Sequence, residues 1–139
     1  MLVKIRKYIK KIFPLLALLL VAVFVLSRVY SPEPPQTPDI FIDASEASDF
    51  VGELAQVCGY VASARFATEI DGQPTFLNFD EPYPDQVFTV VIWGEYRPAW
   101  RTPPEELYVN RAICATGRIR LHQGTPQIVV QDPGRISLP

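Results

Sequence analysis

The longest apolar run of the sequence lies near its N-terminus and limits what the rest of the chain can become. Residues 12–26, IFPLLALLLVAVFVL, contain no polar side chain. A helix of this length covers about 22 Å of a hydrocarbon core that is about 30 Å thick. Extension to residue 30 brings the segment closer to that span, because Lys10, Lys11 and Arg28 can reach toward the two interfaces.

Charge is distributed unevenly around this run. All four lysines lie in the first eleven residues, and all fifteen acidic residues follow position 31. From residue 31 onward, seven arginines stand against fifteen carboxylates, which is a net charge of −8. Positive charge before an apolar segment keeps that end in the cytoplasm. The pattern predicts a signal anchor over residues 1–30, embedded in the cell membrane through residues 12–30, with the domain that follows outside the cytoplasm.

Two alternatives to a retained anchor remain at this level. A cleaved signal peptide, which would leave the domain secreted, fits the length of the apolar run. However, no A-x-A site follows it, and Val25-Leu26-Ser27 is only a tolerable substitute. A buried core helix fits poorly because the flanking charge is so one-sided. The anchor is therefore the favoured interpretation.

Residues 31–42 are predicted to be a linker, and the domain is expected to occupy residues 43–139. The segment SPEPPQTPD contains four prolines and no periodicity, which is typical of a semi-rigid spacer. Asp43 followed by Glu46 has the form of a capping box, and Gly52 suits the residue after a helix. A short helix is expected between them, packed on a sheet.

The rest of the chain is dominated by runs with the composition and alternation of β-strands. A short helix is expected between the third and fourth runs, where Thr102-Pro103-Pro104-Glu105 offers a cap and an N-terminal proline. Five strands with a helix in that position are the layout of the oligonucleotide/oligosaccharide-binding (OB) barrel, whereas a small sandwich does not explain the helix. The predicted strands are residues 56–67, 74–80, 86–94, 111–122 and 125–132.

Three stretches of the sequence also resemble a known family. VCGYVASA, GQPTFLNFDEPYPDQVFTVVIWG and CATGRIRLHQGTPQIVVQDPGRI are similar to bacterial exported OB-fold domains, which occur alone or appended to secreted thermonuclease-type enzymes. The resemblance spans roughly residues 50–136. It implies a mainly β, five-stranded OB-like barrel, and it implies nucleic-acid binding by association with the family.

Cys58 and Cys114 fall on the first and fourth predicted strands, which are neighbours in an OB barrel. An exported domain meets an oxidising compartment, so we expect a disulfide between them, the alternative being two separate buried thiols. Two cysteines and the single His122 fall short of a metal site, and His122 is expected to be solvated at a hairpin edge. The residues predict no catalytic site, no metal and no cofactor, and therefore a protein that is not an enzyme.

A ligand-binding face is predicted on the second and third strands. If Leu77 and Phe79 point inward, their neighbours on the second strand point outward, and aromatic side chains beside arginines would stack bases. The alternative is that the aromatic residues fill the core and cover a barrel end. The candidate ligand-binding residues are Phe76, Asn78, Tyr83, Trp93, Arg118 and Arg120.

Two kinds of partner follow from these features. The fold and the aromatic face favour single-stranded nucleic acid. The acidic, lysine-free body weighs against strong phosphate binding and fits equally well a module that binds another envelope protein.

Overall fold

The computed structural model describes residues 2–29 and 37–139, with side chains described from residue 12 to 25 and from residue 37 onward. The chain divides into two units, Met1–Gln36 and Thr37–Pro139. The first contains the helix α1, Leu2–Val29, whose described side chains are exposed. Within the described part of the chain, no helix combines the length and hydropathy needed to cross a membrane. The end of the predicted anchor at residue 30 and residues 31–36 of the predicted linker lie outside the described residues.

The second unit is mainly β, with eight strands, three 3₁₀ helices and one short α-helix. The strands are β1 (Ile40–Asp43), β2 (Leu54–Phe66), β3 (Thr75–Phe79), β4 (Phe88–Ile92), β5 (Ala112–Arg118), β6 (Arg120–His122), β7 (Thr125–Val129) and β8 (Ile136–Ser137). The 3₁₀ helices are Ala44–Phe50, Arg97–Ala99 and Pro133–Arg135, and α2 is Pro104–Tyr108.

One long strand, β2, organises the sheet. Its first half pairs antiparallel with β5, and its second half pairs antiparallel with β3. Gly59 lies near the end of the half that pairs with β5, and a Cβ atom there would come within 2.7 Å of the Phe79 ring. The pairing register with β3 shifts between Val61 and Ser63. Glycine is therefore needed at position 59 for the Phe79 ring to lie against the β2 backbone.

The hydrogen-bonded order of the strands is β6-β7-β4-β3-β2-β5-β8, with β1 alongside β2. The β4–β7 and β1–β2 pairs are parallel, and the others are antiparallel. Strand β7 also approaches β5 through side-chain packing, since a Cβ on Gly117 would lie 2.5 Å from Ile128 Cγ2. Gly117 therefore permits Ile128 to lie directly on the β5 backbone.

The core is a cluster of buried aliphatic and aromatic side chains, among them Leu77, Phe79, Phe88, Ile113 and Ile128, each fully buried. The rings of Phe79 and Phe88 meet edge to face, with centroids 5.2 Å apart. Every member of the cluster belongs to the unit that begins at Thr37, so this unit has a core of its own.

The connection between β4 and β5 is held by polar contacts within itself, and Arg97 attaches it to the sheet. The indole nitrogen of Trp100 donates to the Tyr108 hydroxyl at 3.0 Å, and both side chains are buried. Arg97 donates to both carboxylate oxygens of Glu105, at 2.7 and 3.1 Å, and to the Thr75 hydroxyl. Its guanidinium also lies 3.7 Å from the centre of the Phe66 ring.

The predicted disulfide is present. Cys58 and Cys114 are register partners on β2 and β5, and their sulfurs are 2.05 Å apart. The bond joins positions 56 residues apart in the sequence and leaves no free cysteine in the described chain.

All five predicted strands occur, but the prediction of five is too low. Strands β1 and β8 were not predicted, because four and two residues are too short to show periodicity. The predicted fourth strand is divided at Ile119, whose amide donates to the Glu53 carbonyl at 2.9 Å and whose carbonyl accepts from the Gly52 amide at 2.8 Å. Residues 120–122 then pair with β7 instead.

Both predicted short helices are present in altered form. The first is a 3₁₀ helix over Ala44–Phe50, and it has the predicted capping box of Asp43 and Glu46. The second begins at Pro104 rather than Pro103 and is not capped by Thr102. Pro103 has a ψ of 129°, which is an extended conformation, so it precedes the helix instead of opening it.

Candidate functional site

An open groove of about 780 Å³ lies on the face of β3 and β4 that points away from the core. Side chains alternate across a sheet, so Leu77 and Val90 enter the core while their neighbours enter the groove. The groove residues contributed by β3, β4 and the residue after β4 are Phe76, Asn78, Thr89, Val91 and Trp93.

A row of polar side chains crosses five strands of this face. Strand register places Ser63, Asn78, Thr89, Gln127 and Arg120 opposite one another on β2, β3, β4, β7 and β6. The Asn78 amide donates to Ser63 Oγ at 3.0 Å, and Thr89 Oγ1 donates to Asn78 Oδ1 at 3.3 Å. We call these five residues the polar row. Register partners share a face, so Arg120 is on the groove side although it does not line the groove itself.

Aromatic side chains lie beside the polar row. Phe76 is half-buried and pairs with Val91 on β4. Trp93 is also half-buried, and the turn at Gly72 packs against its indole ring. Gly72 has a φ of +79°, and a Cβ there would lie 2.9 Å from Trp93 Cε3. Only glycine combines this positive φ with so close an approach to the ring without strain. The Asp71-Gly72 turn therefore fixes where the indole lies.

Two loops form the walls of the groove. One carries Pro82, Tyr83 and Pro84 across a cis peptide bond between Tyr83 and Pro84. The Tyr83 side chain is 72% exposed, and its backbone amide donates to Ser63 Oγ at 3.3 Å, which ties the loop to the groove floor. The other wall is the β6–β7 hairpin, which contributes His122, Gln123 and Thr125.

The charge of the groove differs from the charge of the domain. Residues 37–139 hold seven arginines and fourteen carboxylates, yet no aspartate or glutamate is among the described residues that line the groove. The lining includes Arg65, which pairs with Glu69, and His122. Asp80, at the base of the Tyr83 loop, is held away from the groove because its carboxylate accepts from the Tyr60 amide at 3.1 Å.

Four of the six predicted ligand-binding residues meet in this groove: Phe76, Asn78, Tyr83 and Trp93. The alternative placement of Phe76 and Trp93 in the core does not occur, since neither belongs to the core cluster. Arg118 lies elsewhere, pairs with Leu54 and donates to the Gly52 carbonyl. Arg120 is on the same face by register, as described above.

Several groove residues were not among the predicted ones. Thr89 could have been predicted, because it lies four residues before Trp93 on the third predicted strand and alternation places both side chains on the same face. Ser63 does not follow from alternation, because the register shift between Val61 and Ser63 changes which residues of β2 face the groove. His122, expected to be solvated, is exposed and lines the groove. Gln86 also lines it, and its Oε1 is buried without a hydrogen-bond partner among the described residues.

The groove offers flat aromatic surfaces and uncharged hydrogen-bonding groups. Among the described residues, no three histidine, cysteine, aspartate or glutamate side chains are grouped closely enough to hold a metal ion. The described side chains of the groove are therefore suited to holding planar groups and reading their edges.

Comparison with known proteins finds similarity among solved structures. No family model matches the sequence, and no curated protein matches it. Among solved structures, the chain is similar to a crystal structure described as that of an aspartyl-tRNA synthetase from Leishmania major Friedlin, at 13% identity and a TM-score of 0.43. The match covers 81% of this chain and 25% of that chain, so this chain spans about a quarter of that protein. Similarity at this level says nothing about what this chain binds.

Proposed function

We propose that residues 43–139 form an OB-type binding module and that its groove binds single-stranded nucleic acid. The OB fold is a partly open, five-stranded barrel whose second and third strands carry the ligand face. Strands β2, β3, β4, β5 and β7 supply five such strands here, with a short helix between the third and fourth. The packing of Ile128 on Gly117 supports closure between β5 and β7. In this assignment the groove lies on the second and third strands.

The observation that carries the proposal is a groove without carboxylates on an acidic domain, lined by two half-buried aromatic rings that do not belong to the core. Phe76 and Trp93 offer surfaces on which bases stack, each worth about 1–3 kcal/mol. Arg65 lines the groove and Arg120 lies on the same face by register, and these two arginines supply the positive charge nearest to the path of the backbone phosphates.

Tethering to a membrane is a further part of the proposal. The apolar run of residues 12–26, the lysines before it and the acidic chain after it support an N-terminal anchor with the domain outside the cytoplasm. Alkaline carbonate extraction of cell membranes tests this directly, because a peripheral or secreted protein would be released while an anchored one would stay with the lipid.

Binding is tested with the full-length chain in a non-ionic detergent. Fluorescence anisotropy of labelled ten-nucleotide DNA is measured at low and high salt for the wild type, Trp93→Ala and Phe76→Ala. Each substitution is expected to weaken binding roughly tenfold, because one stacking surface is lost. Phe41→Ala is the matched control, since Phe41 is 67% exposed on β1 and does not line the groove.

Two results would contradict nucleic-acid binding at this groove. The first is no salt-sensitive binding by the wild type at about 50 µM protein, a concentration at which even nonspecific complexes form. The second is an equal loss for Phe41→Ala and Trp93→Ala, which would place any binding outside the groove.

A second candidate is a module that binds an extended segment of another envelope protein. The observation that favours it is the small amount of unpaired positive charge in the groove, where Arg65 already pairs with Glu69. Prolines 74, 82 and 84 line the groove together with aromatic side chains, and aromatic-lined grooves bind extended peptides. Crosslinking in the native membrane tests this, and recovery of the protein alone would count against it. A partner recovered by the wild type but lost in Trp93→Ala would support it.

A further inference from the structure

The hydrogen bonds of the polar row have a fixed direction. Thr89 Oγ1 donates to Asn78 Oδ1 because a carboxamide oxygen can only accept. The Asn78 amide nitrogen can only donate, and it donates to Ser63 Oγ. The Tyr83 backbone amide donates to the same oxygen. The chain of hydrogen bonds therefore runs from β4 to β2 and ends at Ser63.

The Ser63 hydroxyl, at the end of this series of hydrogen bonds, still has its own proton to donate. A serine oxygen has two lone pairs, and both are occupied by the two amides. Its hydroxyl proton has no acceptor among the described residues, while Ser63 lines the groove. Ser63 is half-buried, and the hydrogen bond from the Tyr83 amide places its hydroxyl beside the Tyr83 loop. The proton therefore faces the open groove, where an acceptor of a bound ligand can take the place of solvent.

We propose that Ser63 is a specificity-determining residue whose hydroxyl donates to an acceptor oxygen of a bound nucleotide. This inference rests on the proposed function, since it assigns a contact within the same groove. The acceptor is either a base carbonyl or a phosphate oxygen. Asn78 and Thr89 act behind it as positioning residues, because they hold the Ser63 oxygen through hydrogen bonds and leave its proton free.

The test is a set of double-mutant cycles between the protein and the ligand. Wild type and Ser63→Ala, as full-length chains in detergent, are titrated with ten-residue oligothymidylate. Further titrations use the same oligomer with 2-thiothymine, with 4-thiothymine and with methylphosphonate linkages. Thiocarbonyl sulfur accepts hydrogen bonds weakly, and a methylphosphonate lacks the charged oxygen. Each modification therefore weakens one class of acceptor.

Ser63→Ala is expected to bind unmodified oligothymidylate roughly 3- to 10-fold more weakly, the usual worth of one net hydrogen bond. The loss should largely disappear for the one modified ligand that lacks the contacted acceptor, which identifies that acceptor. Ser63→Thr keeps the hydroxyl and should retain most of the affinity. Thr89→Val is the matched control, because it breaks the far end of the row but leaves the Ser63 donor. Its loss should be equal for all four ligands.

The outcomes separate this inference from the proposed function. A wild type that binds none of the oligomers refutes both. A wild type that binds, together with Ser63→Ala that binds equally well, refutes the role of Ser63 alone. A loss in Ser63→Ala that is the same for all four ligands also refutes it, because Ser63 would then only support the Asn78 side chain and the Tyr83 loop.

Discussion

Removal of the Cys58–Cys114 disulfide is expected to cost a large part of the stability of the domain. The bond joins neighbouring strands at positions 56 residues apart, so it closes a long loop in the unfolded chain. Loop-closure entropy for this length corresponds to about 4 kcal/mol at 25 °C. The total free energy of unfolding of a domain is typically about 5–15 kcal/mol. The double variant Cys58→Ala/Cys114→Ala should therefore be only marginally folded at 37 °C.

The measurement is urea unfolding of residues 37–139, the segment that contains the whole described core. Unfolding is monitored by tryptophan fluorescence and circular dichroism. Oxidised wild type, reduced wild type and the double variant are compared. Reduction removes the cross-link but keeps both sulfurs. Cys114 is 5% exposed, so the double variant also loses some buried contact and should be slightly less stable than the reduced protein. A loss below about 1 kcal/mol on reduction would refute the loop-closure reasoning.

Two further predictions concern packing and charge. Gly117→Ala should lower the free energy of unfolding by about 1–3 kcal/mol, because the new methyl group would overlap Ile128. Ile128→Ala alone removes a fully buried side chain, so the double variant should lose less stability than the sum of the two single losses. An unchanged urea midpoint for Gly117→Ala would contradict the overlap. Partial burial raises the pKa of Glu105, but hydrogen bonds from Arg97 and its own backbone, together with the Arg97 charge, outweigh this and leave the pKa below the usual 4.5. A lowered folded-state pKa stabilises the domain above the unfolded pKa, and that stability is lost as pH falls through the folded value. Glu105→Gln should therefore be roughly 1–2 kcal/mol less stable than wild type at pH 7, with the difference shrinking at pH 3; equal urea midpoints at pH 7 would contradict it.

Local sequence signals were sufficient for the larger elements of the domain. Strands β3, β4 and β7 fall within their predicted ranges because each has enough alternating or β-branched residues to show its period. The capping box at Asp43 and Glu46 could be predicted from the sequence because it depends on two residues only three positions apart. The pairing of Cys58 with Cys114 was predicted from strand adjacency and not from either local sequence.

The candidate site was predictable only in part. Phe76, Asn78 and Trp93 were found because alternation along a strand fixes which residues share a face. Arg118 was misplaced because it is paired with Leu54 on the first half of β2, and its guanidinium donates to the Gly52 carbonyl. A strand pattern gives no information about such a partner 66 residues away in the sequence.

The sequence by itself determined the division of the chain into a basic apolar N-terminus and an acidic β domain, and the positions of the aromatic residues along the strands. These features depend on composition and on short periodic spacing. The tertiary structure alone decided that Ser63 joins the polar row, that the β6–β7 hairpin forms the second wall of the groove, and that the groove excludes every described carboxylate. The place of Ser63 depends on the register shift in β2, and the place of the hairpin depends on the pairing of β7 with β4. Register is set by contacts between segments that are distant in the sequence.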